Sequence, residues 1–226
     1  MSETASALES DGTSEAPIWK RFTVLSSPPI VIATCHLVAI WSSSQFGKWA
    51  WVPLQTAYWA LLALICWGSG QLSALVSAYA RRTTRGWWVI NVVVGLIPLP
   101  ILLRNTSLLR MKSLVVYWLV IAVLNPFVEE AYWRGLLGSL TAHWAAVLSL
   151  AYTSLFFALA HPLLWGVFSV GNRSWQTIAA LIVMGAVWAG TFRRTRSLQA
   201  VTLSHCLVDV GNMTVWVFMN LYIPPK

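Results

Sequence analysis

Charged side chains cut this chain into long uncharged stretches: Phe22 to Gly47, Trp49 to Ala80, Gly86 to Leu103, Ser113 to Val128, Gly135 to Asn172, Ser174 to Phe192 and Val210 to Pro225. A helix needs about 20 apolar residues to cross a bilayer, and the stretch from Gly135 is long enough for one crossing plus a turn or part of a second. Only helices and closed barrels satisfy their backbone polar groups in lipid. The period-two alternation of a barrel strand is absent. The pattern predicts an all-α, polytopic transmembrane helical bundle of about seven membrane helices, within a range of six to eight.

The predicted crossings run from Val24 to Ser44, Pro53 to Ala80, Trp87 to Leu103, a fourth from near Ser113, then Ala142 to Trp165, Trp175 to Phe192 and Leu198 to Leu221. Pro98 and Pro100 predict a kinked far end for the third. In the second, Gly68, Ser69, Gly70, Ser73, Ala74 and Ser77 form a seam of small residues suited to close helix packing. Residues 1–20 form a polar leader expected to be disordered; its first block, Met1 to Pro17, lacks the positive-then-apolar order of a cleavable signal peptide. Residues 21–226 are expected to form one transmembrane domain without internal repeats.

Composition agrees with a membrane protein. Of 226 residues, 58% are hydrophobic and 10% charged, against about 25% charged in a soluble domain, and mean hydropathy is +0.66. The net charge of +8 comes from 15 Lys and Arg, set mostly in short loops where they flank membrane helices and meet lipid headgroups. No basic run is interleaved with an aromatic platform, so nucleic acid is not an expected partner. An N-terminus inside places Lys20, Arg21, Arg81, Arg82, Arg85, Arg193, Arg194 and Arg196 on the cytoplasmic side, a weak bias under the positive-inside rule. Several of the 15 Trp lie near span ends, among them Trp49, Trp51, Trp87 and Trp88, as interfacial anchors do. Cys35, Cys66 and Cys206 imply neither a disulfide framework nor a cysteine-based zinc site.

Outside the leader, which holds Glu3, Glu9, Asp11 and Glu15, the only carboxylates are Glu129, Glu130 and Asp209. Ionisable groups inside a membrane are functional candidates by default. On a helix Glu130 and Arg134 share a face and can pair. Glu129 is turned about a hundred degrees away and has no cation within reach on its own helix. Asn125-Pro126 suits an N-cap and first helical position; a helix restarting there would put Glu129 near its positive end. A buried ion pair with a spare acid at a loop is the alternative. Phe157 lies one turn before His161 and can wall its imidazole, and Pro162 predicts a helix end or kink beside it. His205, Asp209 and Asn212 are spaced to line one helical face, with Cys206 pointing aside and therefore unsuited to act as a nucleophile beside His205. His36, alone in an apolar span, is expected to be an interhelical hydrogen-bonder. Convergence of Glu129, His161, His205, Asp209 and Asn212 on one site would supply a general base, an imidazole and oxyanion donors, the parts that hydrolyse an amide with water.

Glu129-Glu130-x-x-x-Arg134, then Phe157-x-x-x-His161, then His205-x-x-x-Asp209 on successive membrane helices resembles the CPBP family, the CAAX protease and bacteriocin-processing group that includes type II CAAX prenyl endopeptidases. The Gly185 to Ala200 segment is similar to that family's glycine-rich approach to the last motif. The resemblance covers a core of about 113–212. It implies an intramembrane endopeptidase of glutamic type that cuts near the C-terminus of a lipidated, prenylated or membrane-inserted substrate. Glu129 and His161 would activate water, His205 and position 209 would stabilise the oxyanion, and Glu130 and Arg134 would support the site. Asp209 departs from the simpler choice of an amide there, because an ionised Asp cannot donate a hydrogen bond. It would orient His205 or be protonated, with Asn212 as a donor. No cofactor is expected. Zinc on His161, His205 and Glu129 stays open, although the His-Glu-x-x-His pattern is missing. The expected location is a bacterial inner or plasma membrane, or the ER membrane in a eukaryote. Two other functions compete: a non-catalytic membrane factor of the same fold, for self-immunity or scaffolding, and an ion-coupled transporter.

Overall fold

The computed structural model describes residues 18–220 and 222–223, so the leader at 1–17 lies outside the described residues. The described chain is helical throughout. In order it forms α1 (Ile18–Leu25), α2 (Ser27–Phe46), α3 (Trp51–Gly68), α4 (Leu72–Ala80), α5 (Arg85–Leu96), α6 (Leu99–Arg104), α7 (Lys112–Glu130), α8 (Leu137–Leu140), α9 (Ala146–Leu164), α10 (Trp175–Thr195), α11 (Gln199–Gly211) and α12 (Thr214–Asn220). Seven stretches of these are long and apolar enough to cross a membrane: 27–49, 51–68, 85–104, 112–140, 146–167, 175–195 and 199–220. Large apolar side chains including Leu37, Leu64, Val116 and Val147 point outward, as lipid-facing positions do. The chain is a polytopic helical bundle. α1 takes up the last three residues of the expected leader and carries Ile18, Trp19 and Phe22 exposed beside Lys20 and Arg21, a composition suited to the bilayer interface.

Three local expectations change. The second crossing stops at Gly68, because Gly70 takes φ +72 and turns the chain before α4, a conformation only glycine adopts freely. Gly68, Gly70, Ser73, Ala74 and Ser77 are exposed, and a Cβ on either glycine would meet nothing within 4 Å. They form a turn and an outer face, not a packing seam. Trp51 is not an interfacial anchor: it is 2% exposed, against Phe218 in the core. The proline break in the third crossing is present, between α5 and α6 at Ile97–Pro98. A second break, at Asn212–Met213, separates α11 from α12 where Met213 adopts φ +57.

The core positions the site. α3 buries Trp51, Leu54, Tyr58 and Leu62, spaced for one helical face. On α7 the buried positions Trp118, Ala122, Asn125 and Glu129 follow the same rule, so one ridge begins apolar and becomes polar toward the end of the helix. α11 lies between α7 and α5. Its approach to α5 depends on Gly95, where a Cβ would stand 2.8 Å from the Ser204 carbonyl oxygen and 3.0 Å from Leu207 Cβ.

Gly95→Ala is therefore expected to lower the thermal midpoint in detergent, by an overpacking penalty on the order of 1–3 kcal/mol. Gly68→Ala should leave it unchanged or raised. Equal shifts for both would contradict this account of the α5–α11 contact.

Candidate active site

The polar residues singled out by spacing meet where α7, α9 and α11 face one another. Glu129, His161, His205, Asp209 and Asn212 all line one cavity of about 300 Å³, together with Asn125 and Gln55. Its remaining wall is largely apolar and includes Trp165, Val217 and Phe218.

α7 does not restart at Asn125. It continues through Pro126 to Glu130. Proline removes the hydrogen bond to the Ala122 carbonyl, and the Asn125 side chain serves other helices instead of capping its own. Its Oδ1 accepts from Gln55 Nε2 at 3.0 Å and from Trp59 Nε1 at 2.9 Å, and its Nδ2 donates to Asp209 Oδ2 at 3.1 Å. The change in winding comes later. Residues Ala131–Leu136 form a π-helical turn, and Tyr132 through Leu136 are all buried. π-turns insert one residue into an α-helix and are frequent at functional sites. A stretch buried on every side must be surrounded by other helices. Here α3, α4, α7, α8, α9 and α10 all contact it.

Arg134 projects from this turn and is fully buried. Its Nη1 donates to Glu130 Oε1 at 2.9 Å, the pairing expected from their spacing. The planar guanidinium lies over Phe157 at 4.2 Å and Trp188 at 5.0 Å from the ring centroids, where the ring quadrupoles favour a cation. The same Glu130 oxygen accepts a second bond, from His205 Nδ1 at 2.7 Å. Glu130 therefore does more than balance Arg134: it fixes the His205 ring. Asp209, expected in that orienting role, stands farther off, with Oδ1 3.7 Å from His205 Nε2. On the same side, Glu129 Oε2 is 3.6 Å from Nε2. Three carboxylates thus surround His205. Trp188 stacks on its ring at 4.7 Å, 22° from parallel.

His161 approaches from α9. Its Nδ1 lies 2.9 Å from the Phe157 carbonyl oxygen. A carbonyl only accepts, so Nδ1 carries the proton and the neutral ring keeps its lone pair on Nε2. Phe157 packs edge-on against His161 at 4.9 Å, the wall expected of it. α9 runs two residues past Pro162 to Leu164 before loosening into a 3₁₀ turn at Trp165–Val167, so the helix end falls after the proline, not at it. Asn212 follows the last residue of α11, lines the cavity, and accepts from Thr214 Oγ1 at 2.6 Å. Cys206 Sγ faces the Val123 carbonyl, and the three cysteines are free. His36 bonds the Leu163 carbonyl at 2.6 Å, the interhelical link expected of it. Among the described residues no group of three His, Cys, Asp or Glu is arranged to hold a metal ion.

Sequence reasoning missed the side-chain parts of Asn125, Gln55, Trp59 and Trp188. Asn125 carried a signal, since it sits one turn before Glu129. Trp188 carried none, because fourteen other tryptophans look the same in sequence.

Ionisable side chains from three membrane-crossing stretches are thus gathered on one cavity. Residues 111–211 match the family described as Type II CAAX prenyl endopeptidase Rce1-like. The motif-bearing part of the chain, just under half of its length, is thus similar to the CPBP/CAAX protease family. No curated protein and no solved structure matches the chain.

Removing Arg134 leaves Glu130 buried without its guanidinium. Arg134→Ala is expected to cost about 3–5 kcal/mol of stability, read as a lower thermal midpoint. An Arg134→Leu/Glu130→Leu double variant should recover part of that loss. A double variant as unstable as the sum of the singles would contradict the pairing.

Proposed function

We propose that this protein is an intramembrane endopeptidase of glutamic type, hydrolysing a peptide bond near the C-terminus of a lipidated or membrane-inserted substrate. The observation that carries this is the common cavity of Glu129, His161, His205 and Asp209. Within it, Glu129 Oε2 is buried without a hydrogen-bond partner among the described residues. The match of residues 111–211 to a family of prenyl endopeptidases supports the class of reaction.

The chemistry follows from the side chains. A water between Glu129 and His161 gives one proton to the Glu129 carboxylate while His161 Nε2 accepts a hydrogen bond from the other. The water oxygen bonds to the scissile carbonyl carbon, and the carbonyl π pair moves onto oxygen. That oxyanion lies on the His205 side of the cavity. When it collapses, the C–N bond breaks and the departing amine takes the proton held by Glu129. One water is consumed, and an acid and an amine leave. General acid–base participation of this kind contributes about 10²–10⁴-fold. The apolar wall at Trp165, Val217 and Phe218 accommodates a hydrophobic segment beside the polar end. Water activation is proposed to be metal-free. Prenylated CAAX peptides, bacteriocin leaders and C-terminal sorting tails all fit these requirements, at a bacterial inner or plasma membrane or at the ER.

The test uses purified protein in liposomes with a prenylated C-terminal peptide. Glu129→Ala and His161→Ala are each expected to lower cleavage by at least about 10²-fold while thermal melting stays close to wild type. Metal analysis of the active preparation should find no stoichiometric zinc. A folded Glu129→Ala variant with full activity would sink the assignment.

A further inference from the structure

Asp209 leaves the oxyanion side of the proposed site without an obvious amide, and a carboxylate accepts hydrogen bonds but donates none when ionised. Asn125 has the missing chemistry. It lies four residues before Glu129 on α7, so the two share a face, and both are buried cavity-lining residues at 8% and 2% exposure.

Its amide orientation is determined by its neighbours. The Trp59 indole N–H can only donate, so the group it meets at 2.9 Å is the Asn125 oxygen. Gln55 Nε2 fills the second lone pair of that oxygen at 3.0 Å. The nitrogen must then face α11, where one N–H donates to Asp209 Oδ2 at 3.1 Å. The second N–H of Asn125 has no partner among the described residues. Two donors from α3 and one acceptor from α11 thus hold this amide in place before any substrate arrives. Preorganisation of this kind makes an oxyanion donor effective.

Asn212, the donor expected from spacing, is less well held. It follows the end of α11, is only partly buried, and has its oxygen engaged by Thr214 two residues away. A closed ring results instead: Glu129 to His205, His205 to Asp209, Asp209 to Asn125, and one helical turn back to Glu129.

The geometry points to Asn125 as a catalytic residue that donates its free amide N–H to the oxyanion of the tetrahedral intermediate, with Asp209 and Gln55 holding it in position. This rests on the hydrolytic role proposed for the cavity. Loss of one such donor lowers turnover by about 10²–10³-fold.

The experiment compares kcat, KM and thermal midpoint for Asn125→Ala, Asn212→Ala and the double variant Asn125→Ala/Asp209→Asn, with Glu129→Gln as reference. Asn125→Ala should lose kcat by about 10²-fold or more with KM little changed, and Asn212→Ala should lose far less. The double variant should regain most of the kcat, because Asn at 209 restores an amide donor at the same edge of the cavity. Wild-type kcat in Asn125→Ala, a loss confined to KM or to stability, or no recovery in the double variant overturns the assignment of Asn125. If Glu129→Gln is inactive in the same series, the hydrolytic role stands without it. If Glu129→Gln is fully active, the hydrolytic role itself is wrong.

Discussion

One carboxylate oxygen carries the architecture of this site. Glu130 Oε1 receives Arg134 at 2.9 Å and His205 at 2.7 Å, and all three residues are buried. A charged group at a helix centre is disfavoured by about 2.5–3.5 kcal/mol on insertion scales, so none of these groups would be stable in lipid alone. Together they tie the end of α7 to α11. The guanidinium then extends the connection through Phe157 to α9 and through Trp188 to α10. Breaking this node would loosen four helices at once, which is why a buried ion network here sets the geometry of the cavity and does not merely neutralise charge.

The node also separates the two adjacent glutamates by environment. Glu130 faces the ion network, and Glu129, one residue earlier, faces the cavity. From the π-helical turn that begins at Ala131, Arg134 reaches back to Glu130 while Trp133 donates to Tyr58 on α3 at 3.0 Å. The inner ridge of α7 places Asn125 one turn before Glu129, within reach of Asp209. Among the described residues, the cavity groups left unengaged include one carboxylate oxygen of Glu129, Nε2 of His161 and the second N–H of Asn125, beside an apolar wall.

Much of this was legible in the sequence because membrane segments obey few rules. Uncharged runs gave seven crossings, and the i,i+4 spacing of Glu130 and Arg134 gave their pairing. The scarcity of carboxylates pointed to Glu129 and Asp209, and the structure brings both to one cavity with His161 and His205. The failures have a common cause. Asn125-Pro126 resembles a helix start and Gly68 to Ser77 resembles a packing seam, yet each motif is local, and tertiary partners decided otherwise. Asn125 is claimed by Gln55, Trp59 and Asp209, and Gly70 bends the chain outward. For orienting His205, helical spacing offers Asp209, its neighbour on the same helix, as one candidate. Nothing in sequence reveals that Glu130, on another helix, approaches a full ångström closer.

The role of the shared oxygen is tested most directly by a double-mutant cycle on kcat/KM between Glu130→Gln and His205→Gln, using folded protein in liposomes. If Glu130 acts by fixing His205, the two losses are strongly non-additive, as for residues that work as a unit. The double variant is then no slower than His205→Gln alone. Losses that multiply, so that each substitution keeps its full effect in the other's presence, would contradict a site organised around Glu130.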